Sequence, residues 1–278
     1  MPLDLDHLRR WIGREDQSSE RVAPETVRRF NAIFDSETDL SDGAAAPVMF
    51  HYCLCQPAAP TEGLGEDGHP ARGGFLPPVP LPRRMWAGGT LDFTGEIHIG
   101  EVVTRTTRIL DVTAKEGRSG LLCFLTLEHS YASGGRPALT ERQNIVYREA
   151  EAGTQATAAP EAAPAGAQIR RVLPTPPFLF RYSAVTYNGH RIHYDAPYAR
   201  GMEGYPGLVV HGPLQATLLT RFAQDLRGMR PSRVTVRAKS PLFDVAPFAL
   251  HAVQDGAAMT LWSAAEGGPV AMEARVEW

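Results

Sequence analysis

Hydrophobic and polar positions follow two different periods along this chain. Leu3, Leu5, Leu8, Trp11 and Ile12 recur among charges at helical spacing, which predicts an amphipathic helix over residues 3–15. Residues 18–24 read as a break. Val27, Phe30, Ile33 and Phe34 then place a second, packing helix over residues 26–34. Residues 35–46 form a polar turn region, and the apolar run 48–54 is buried as either helix or strand. Residues 61–82 hold too many prolines and glycines for an internal strand or helix, and a long loop in a compact domain is often functional. From Thr90 the period becomes two. Residues 91–100, 102–112, 121–131 and 139–148 read as strands of an antiparallel meander, with turns at 117–120 and 134–135.

Residues 150–168 are nearly all Ala, Glu, Thr, Gly, Pro and Gln without apolar periodicity, and are expected to be a flexible linker. This divides the chain into a first domain (1–149), the linker (150–168) and a second domain (169–278). In the second domain, 178–185 reads as a strand. Leu214, Leu218, Leu219, Phe222 and Leu226 share one side of a helix over 213–227. Four short strands follow at 234–238, 243–251, 258–264 and 270–276. The class is α+β, and a length of 278 residues suits two domains of ordinary size.

Composition narrows the setting. A net charge of −3, with no long basic run, gives no reason to expect nucleic acid. Cys53, Cys55 and Cys123 form neither a metal-ligand spacing nor an even disulfide set, which fits a reducing cytoplasm. The N-terminus lacks a secretory pattern, and no run of about 18 apolar residues predicts a membrane span.

The chemistry concentrates in residues 180–213, where His190, His193 and His211 lie with Asn188, Asp195 and the turn His211-Gly212-Pro213. The frame Thr186-Tyr-Asn-Gly-His-Arg-Ile-His-Tyr-Asp195, followed by Ala199 and closed by His211-Gly212, resembles the signature of the MaoC-like, R-specific enoyl-CoA hydratases and dehydratases. Asn188 stands where the signature has aspartate, His190 where it has asparagine, and Arg191 where it has proline. The wording is closest to a subfamily of mesaconyl-C4-CoA and itaconyl-CoA hydratases and hydroxyacyl-thioester dehydratases. The order of one helix followed by an antiparallel sheet is that of a hotdog fold. A double hotdog, with a degenerate first half and the motif on the second, is the architecture expected; the resemblance implies the same.

Enoyl-thioester hydration needs a base for water, donors for the charge developing on the thioester oxygen, and a proton for the α-carbon. The resemblance puts His193 in the acid/base position, suited by its ordinary pKa. Gly212, at the mouth of a helix beginning near Pro213, is expected to offer a backbone N–H to the oxyanion. Asn188 cannot take a proton but can orient water. His190, Arg83, Arg84, Trp86 and Gly207 are the expected substrate-binding positions. His190 is equally a second donor, a carboxylate binder or a loop histidine, and the two arginines are either solvated or bound to a CoA phosphate or substrate carboxylate. Asp195 either orients His193 or caps backbone; His211 is expected to tie down the turn.

No metal is expected, because His190-x-x-His193 has no third ligand at useful spacing, and no cofactor beyond the coenzyme A of the substrate. The expected partner is an acyl-CoA, and exposed hotdog edges make a homodimer plausible. The function implied is reversible hydration of a short branched dicarboxylyl-CoA giving citramalyl-CoA. The alternatives are a 3-hydroxyacyl-thioester dehydratase of fatty-acid synthesis, a hotdog thioesterase and a non-catalytic acyl-binding protein.

Overall fold

The period-two segments of both halves pair into one antiparallel sheet. The computed structural model describes residues 3–117, 120–149 and 161–278. The first half runs α1 (Leu5–Arg9), β1 (Glu15–Arg21), α2 (Pro24–Ile33), a 3-10 turn (Phe50–Cys53), then β2 (Arg83–Phe93), β3 (Val102–Gly117), β4 (Gly120–Ser133) and β5 (Arg136–Arg148). The second runs β6 (Gln168–Val172), α3 (Pro176–Val185), a 3-10 turn (Arg191–His193), α4 (Ala196–Gly201) and α5 (Gly212–Arg227). Strands β7 (Arg233–Ala238), β8 (Phe248–Asp255), β9 (Ala258–Ala265) and β10 (Val270–Glu277) complete it.

The sheet order is β1-β3-β4-β5-β2-β7-β10-β9-β8-β6. Reading outward from the centre, β2-β5-β4-β3-β1 and β7-β10-β9-β8-β6 follow one scheme, so the repeat that sequence identity leaves invisible is plain in the topology. The halves join where β2 pairs with β7, from Gly88 opposite Arg237 to Asp92 opposite Arg233. Glycine is required at this seam. Gly88 has φ +118°, follows a register shift at Trp86, and a Cβ there would lie 2.2 Å from the Val236 carbonyl oxygen.

The second half encloses α5. Leu214, Ala216, Leu219 and Ala223 are fully buried, and so are Thr217 and Thr220, so the helix is covered nearly all round. Each large apolar side chain buried this way contributes about 1.5–3 kcal/mol. Gly228, at φ +72°, ends the helix in the left-handed conformation. The first half has no counterpart of α5. After its 3-10 turn the chain enters the proline- and glycine-rich loop, which cannot form that helix. Leu8, Val79 and Leu81 cover one end of the first half's inner sheet face, against Ile109, Val112 and Leu125, while α2 and the 3-10 turn pack against Leu91, Val103, Tyr131 and Leu139 at the other. What remains is a cavity of about 2360 Å³ bounded by both halves.

Several sequence-based expectations change. Residues 178–185 are helical, not extended: Thr175 caps α3 by accepting from the Phe178 N–H, prolines occupy its first turn, and Leu179, Tyr182 and Ser183 face inward at helical spacing. The first helix stops at Arg9, and of the supposed break residues 18–21 belong to β1, leaving only Val22 and Ala23 between it and α2. The burial of β1 is slight on both faces, and backbone pairing to β3 rather than side-chain packing holds it. The run at 48–54 contains the 3-10 turn. The meander begins at Arg83 instead of Leu91, residues 94–100 leave the sheet, and β8 starts at Phe248 rather than 243. Of the expected linker, residues 150–160 lie outside the described residues, and Gln168 already belongs to β6. Among the described residues, no helix is long and apolar enough to cross a membrane.

Placing a side chain at the seam should be costly. Gly88→Ala is expected to lower stability by on the order of 2–3 kcal/mol, read as a fall in Tm of roughly 5–10 °C. Gly74→Ala, with open space around the position, is the control and should leave Tm unchanged.

Candidate active site

The motif is shaped by how α3 ends. Thr186 caps the helix, Tyr187 takes the left-handed conformation at φ +51°, and the Asn188 N–H returns to the Ser183 carbonyl at 2.8 Å. This is a Schellman turn with tyrosine where glycine is usual. The chain reverses here, and Asn188 Oδ1 accepts from the His190 N–H at 3.0 Å, leading into the 3-10 turn that carries His193. Asp195 caps α4 by accepting from the Tyr198 N–H at 3.1 Å and pairs with Arg191 at 2.9 Å, so it serves the local backbone.

The buried His193 is held in one tautomer. Its Nδ1–H donates to the Val209 carbonyl at 2.7 Å, because a carbonyl can only accept, and Nε2 keeps its lone pair. Burial pushes the imidazole pKa down to about 3, the Val209 hydrogen bond opposing and the His69 charge adding to the effect. The His211 ring stacks on it at 3.7 Å and is anchored by Ser183 at 2.8 Å from Nε2. Burial and the neighbouring histidines hold His211 far below the usual imidazole range. His211 therefore ties together α3, the His193 ring and the start of α5. Gly212 opens α5, where backbone N–H groups are unpaired and the dipole is positive. Trp86 lies over it, and a Cβ on Gly212 would meet the indole Cε3 at 2.6 Å. The Trp86 Nε1–H is buried without a partner.

The long loop of the first half completes the site. Gly68 and Gly189 meet backbone to backbone: a Cβ on Gly68 would lie 2.1 Å from the Gly189 carbonyl oxygen, and one on Gly189 2.6 Å from that of Gly68. The Arg191 N–H donates to the Asp67 carbonyl at 2.9 Å. This docking brings His69 against His190, ring centroids 4.4 Å apart, and His190 lies 5.4 Å from His193. His69 Nδ1 pairs with Asp67 Oδ2 at 3.3 Å. Burial would raise the Asp67 carboxyl, but hydrogen bonding from His69 and nearby charge, Arg84 included, hold it well below its ordinary value. Burial lowers both His69 and His190.

Asp67 and His69 are the site residues that sequence spacing missed, and only the loop's length and composition hinted at them. They also alter the metal argument. His190 does find further ligand-type neighbours, since donor atoms of Asp67, His69 and His190 lie within 4.8 Å of one another. The Arg84 charge beside all three opposes a cation there.

The remaining expected positions separate. Arg83 is held by Glu203, at 3.3 Å to its carboxylate and 2.9 Å to its carbonyl, and is not free for an anion. Arg84 lines the cavity beside Asp67 and the Tyr147 hydroxyl. Gly207 does not line the cavity with the others; it packs against Asp244 and Val245, where a Cβ would clash at 2.3 Å. Its tight place against the loop between β7 and β8, rather than ligand access, requires glycine.

His69, His190, His193 and His211, and His129 deeper in the first half, carry a pH dependence through their lowered pKa values. Their folded-state pKa values lie below the unfolded value of about 6.5, so the unfolded chain binds protons first as pH falls. Stability should be full above about pH 6.5 and decline toward the folded-state values, about 3 for His193. Urea midpoints at pH 7.5, 6 and 5 should fall in that order; a constant midpoint would contradict the neutral assignment.

A family model described as hydroxyacyl-thioester dehydratase type 2 matches residues 49–244. The mesaconyl-C(4)-CoA hydratase of Chloroflexus aurantiacus is 40% identical over 269 residues, 96% of each chain. Among solved structures, HtdX of Mycobacterium tuberculosis matches with a TM-score of 0.68 at 19% identity, covering 95% of this chain and 99% of that one. Another M. tuberculosis protein, described as having a double hotdog fold, matches with a TM-score of 0.58 at 12% identity over 95% of each chain. The fold is a double hotdog, and the chain belongs to the hydroxyacyl-thioester dehydratase type 2 family of hydro-lyases.

Proposed function

We propose that this enzyme reversibly hydrates a short branched α,β-unsaturated dicarboxylyl-CoA, such as mesaconyl-C4-CoA or itaconyl-CoA, to citramalyl-CoA. The observation that carries the proposal is the neutral His193, its Nδ1–H fixed on a carbonyl and its Nε2 free, beside the N-terminus of α5 on a shared cavity. In this reading Nε2 takes a proton from water as the water oxygen bonds to the β-carbon. The π electrons move toward the thioester oxygen, whose charge the Gly212 N–H receives, and the proton is then passed to the α-carbon. Asn188 shapes the turn that presents His190 and His193, and its amide is available to orient the water. The substrate of the Chloroflexus relative supports the dicarboxylyl choice.

A longer acyl chain is the second reading. The cavity's apolar stretch (Phe75, Leu76, Leu127, Ile145) and its volume exceed what a five-carbon acyl group needs. The free, buried cysteines support a reducing cytoplasm as the setting. A homodimer is also part of the proposal. Since β2 and β7 use one hotdog edge within the chain, β1 or β6 is the edge left for it, and light scattering tests it.

Purified protein with crotonyl-, mesaconyl-C4-, itaconyl- and a long-chain enoyl-CoA should add one water to a branched dicarboxylyl-CoA by mass spectrometry. His193→Ala should slow this by roughly 10²–10⁴-fold. Gain of water on the long chain alone would favour fatty-acid synthesis, and release of free CoA would sink both readings. Because the His193 pKa lies near 3 in the free enzyme, its base form persists well below pH 6.5, and kcat/KM should show no His193-type acid limb between pH 5 and 7.

A further inference from the structure

The inner sheet face of the first half, over which no central helix runs, is not apolar throughout. Alternation along β3 turns Val103, Arg105, Thr107 and Ile109 inward. Arg105 lies opposite Tyr131 on β4, Thr107 opposite His129, and His129 opposite Glu141 on β5. A band of polar side chains therefore crosses three neighbouring strands where a hotdog helix would otherwise demand hydrophobic contacts. Arg105, His129 and Glu141 all line the cavity that His193 also lines.

Most of the band is internally satisfied. Glu141 accepts from the Tyr52 hydroxyl at 3.0 Å and faces His51 Nε2 at 3.6 Å. His129 takes a hydrogen bond at Nδ1 from Thr107 at 2.8 Å and gives one from Nε2 to Gln143 at 3.2 Å. Arg105 is the exception. It is only 8% exposed, its Nε–H has no partner, and among the described residues it makes no ion pair within 4.0 Å. Its neighbour is the Tyr131 hydroxyl, a neutral group whose pKa burial raises, with Arg105 opposing. Arginine cannot shed its proton to escape, and the Glu141 carboxylate, whose charge acts with that of Arg105 on both His129 and Tyr131, stands beyond ion-pair distance of the guanidinium. Of the other arginines lining the cavity, Arg83 is engaged by Glu203 and Arg72 by the carbonyls of Val79, Leu81 and Pro82; Arg84 is half-buried with the Asp67 charge nearby, and Arg237 is exposed to solvent.

We infer that Arg105, with the Tyr131 hydroxyl beside it, is the receptor for the free carboxylate of the acyl group, so that the first half selects an anionic acyl end for chemistry done by the second. The inference rests on the dicarboxylyl reading above. A guanidinium offers paired N–H donors in the geometry a carboxylate accepts, and the surrounding low dielectric strengthens the contact. A methyl-terminated chain reaching this point would leave the cation uncompensated, which makes the site exclude as well as attract.

Binding of saturated acyl-CoA pairs, which cannot be hydrated, tests this apart from catalysis. Succinyl- against butyryl-CoA and glutaryl- against valeryl-CoA differ in their terminal carboxylate or methyl, and calorimetry gives the affinity ratio within each pair. Wild type should favour the carboxylate by roughly 10- to 100-fold in at least one pair. Arg105→Gln should bring that ratio to about one. Should Arg105→Gln not fold, Arg105→Lys, which keeps the charge and loses the fork, should reduce the ratio about tenfold. A ratio unchanged in the folded variant, or no preference in wild type, overturns the inference. Wild-type hydration separates the two claims. Dicarboxylyl hydration with selectivity intact in Arg105→Gln defeats only the role of Arg105, whereas hydration of no dicarboxylyl-CoA by wild type defeats the functional reading itself.

Discussion

Backbone pairing between β2 and β7 makes one sheet out of two repeats, and the rest of the structure depends on that seam. It requires Gly88 in a conformation other residues avoid, with a neighbouring carbonyl where a side chain would stand. Once the halves share a sheet they can divide their tasks. The second half keeps a central helix and presents the helix N-terminus beside His193. The first half lacks that helix, leaving a cavity and an inner face that polar side chains partly line. The oriented histidine and the larger part of the open space thus come from different copies of one topology.

The site illustrates how burial and hydrogen bonding act together on histidine. Desolvation alone would lower the His193 pKa without saying which nitrogen is free; the Val209 carbonyl decides that. The stacked His211 adds no proton chemistry of its own but prevents the His193 ring from turning. Under the proposed mechanism, a neutral, oriented imidazole gains its proton only when negative charge arrives or develops nearby, which is the moment hydration requires it.

Much of this was legible in the residues. The motif placed His193 and Gly212 on a turn and a helix start, and the structure has them there. The helix at residues 213–227 and strands β3, β4, β5, β7, β9 and β10 follow from clear periodicity. The errors have physical causes. Residues 178–185 are apolar on most positions, so period cannot separate strand from helix, and the cap at Thr175 with its following prolines was the better signal. Strand β1 carries no hydrophobic pattern because its sheet bonds are made by backbone alone. Asp67 and His69 reach the site only through tertiary docking, which spacing along the chain cannot report. Arg105 was hidden for a different reason: in a strand dense with threonine and arginine, nothing marks which face lacks a helix.

The contact between Gly68 and Gly189 has a consequence for how this chain can vary. Two positions far apart in sequence meet with no side chain on either, so neither can change unless the opposing backbone withdraws. Withdrawal would carry Asp67 and His69 away from His190, since the same loop bears them. Inheritance at these two glycines is therefore coupled. A chain that recombines its halves with those of a relative keeps an assembled site only if both partners of this contact arrive together.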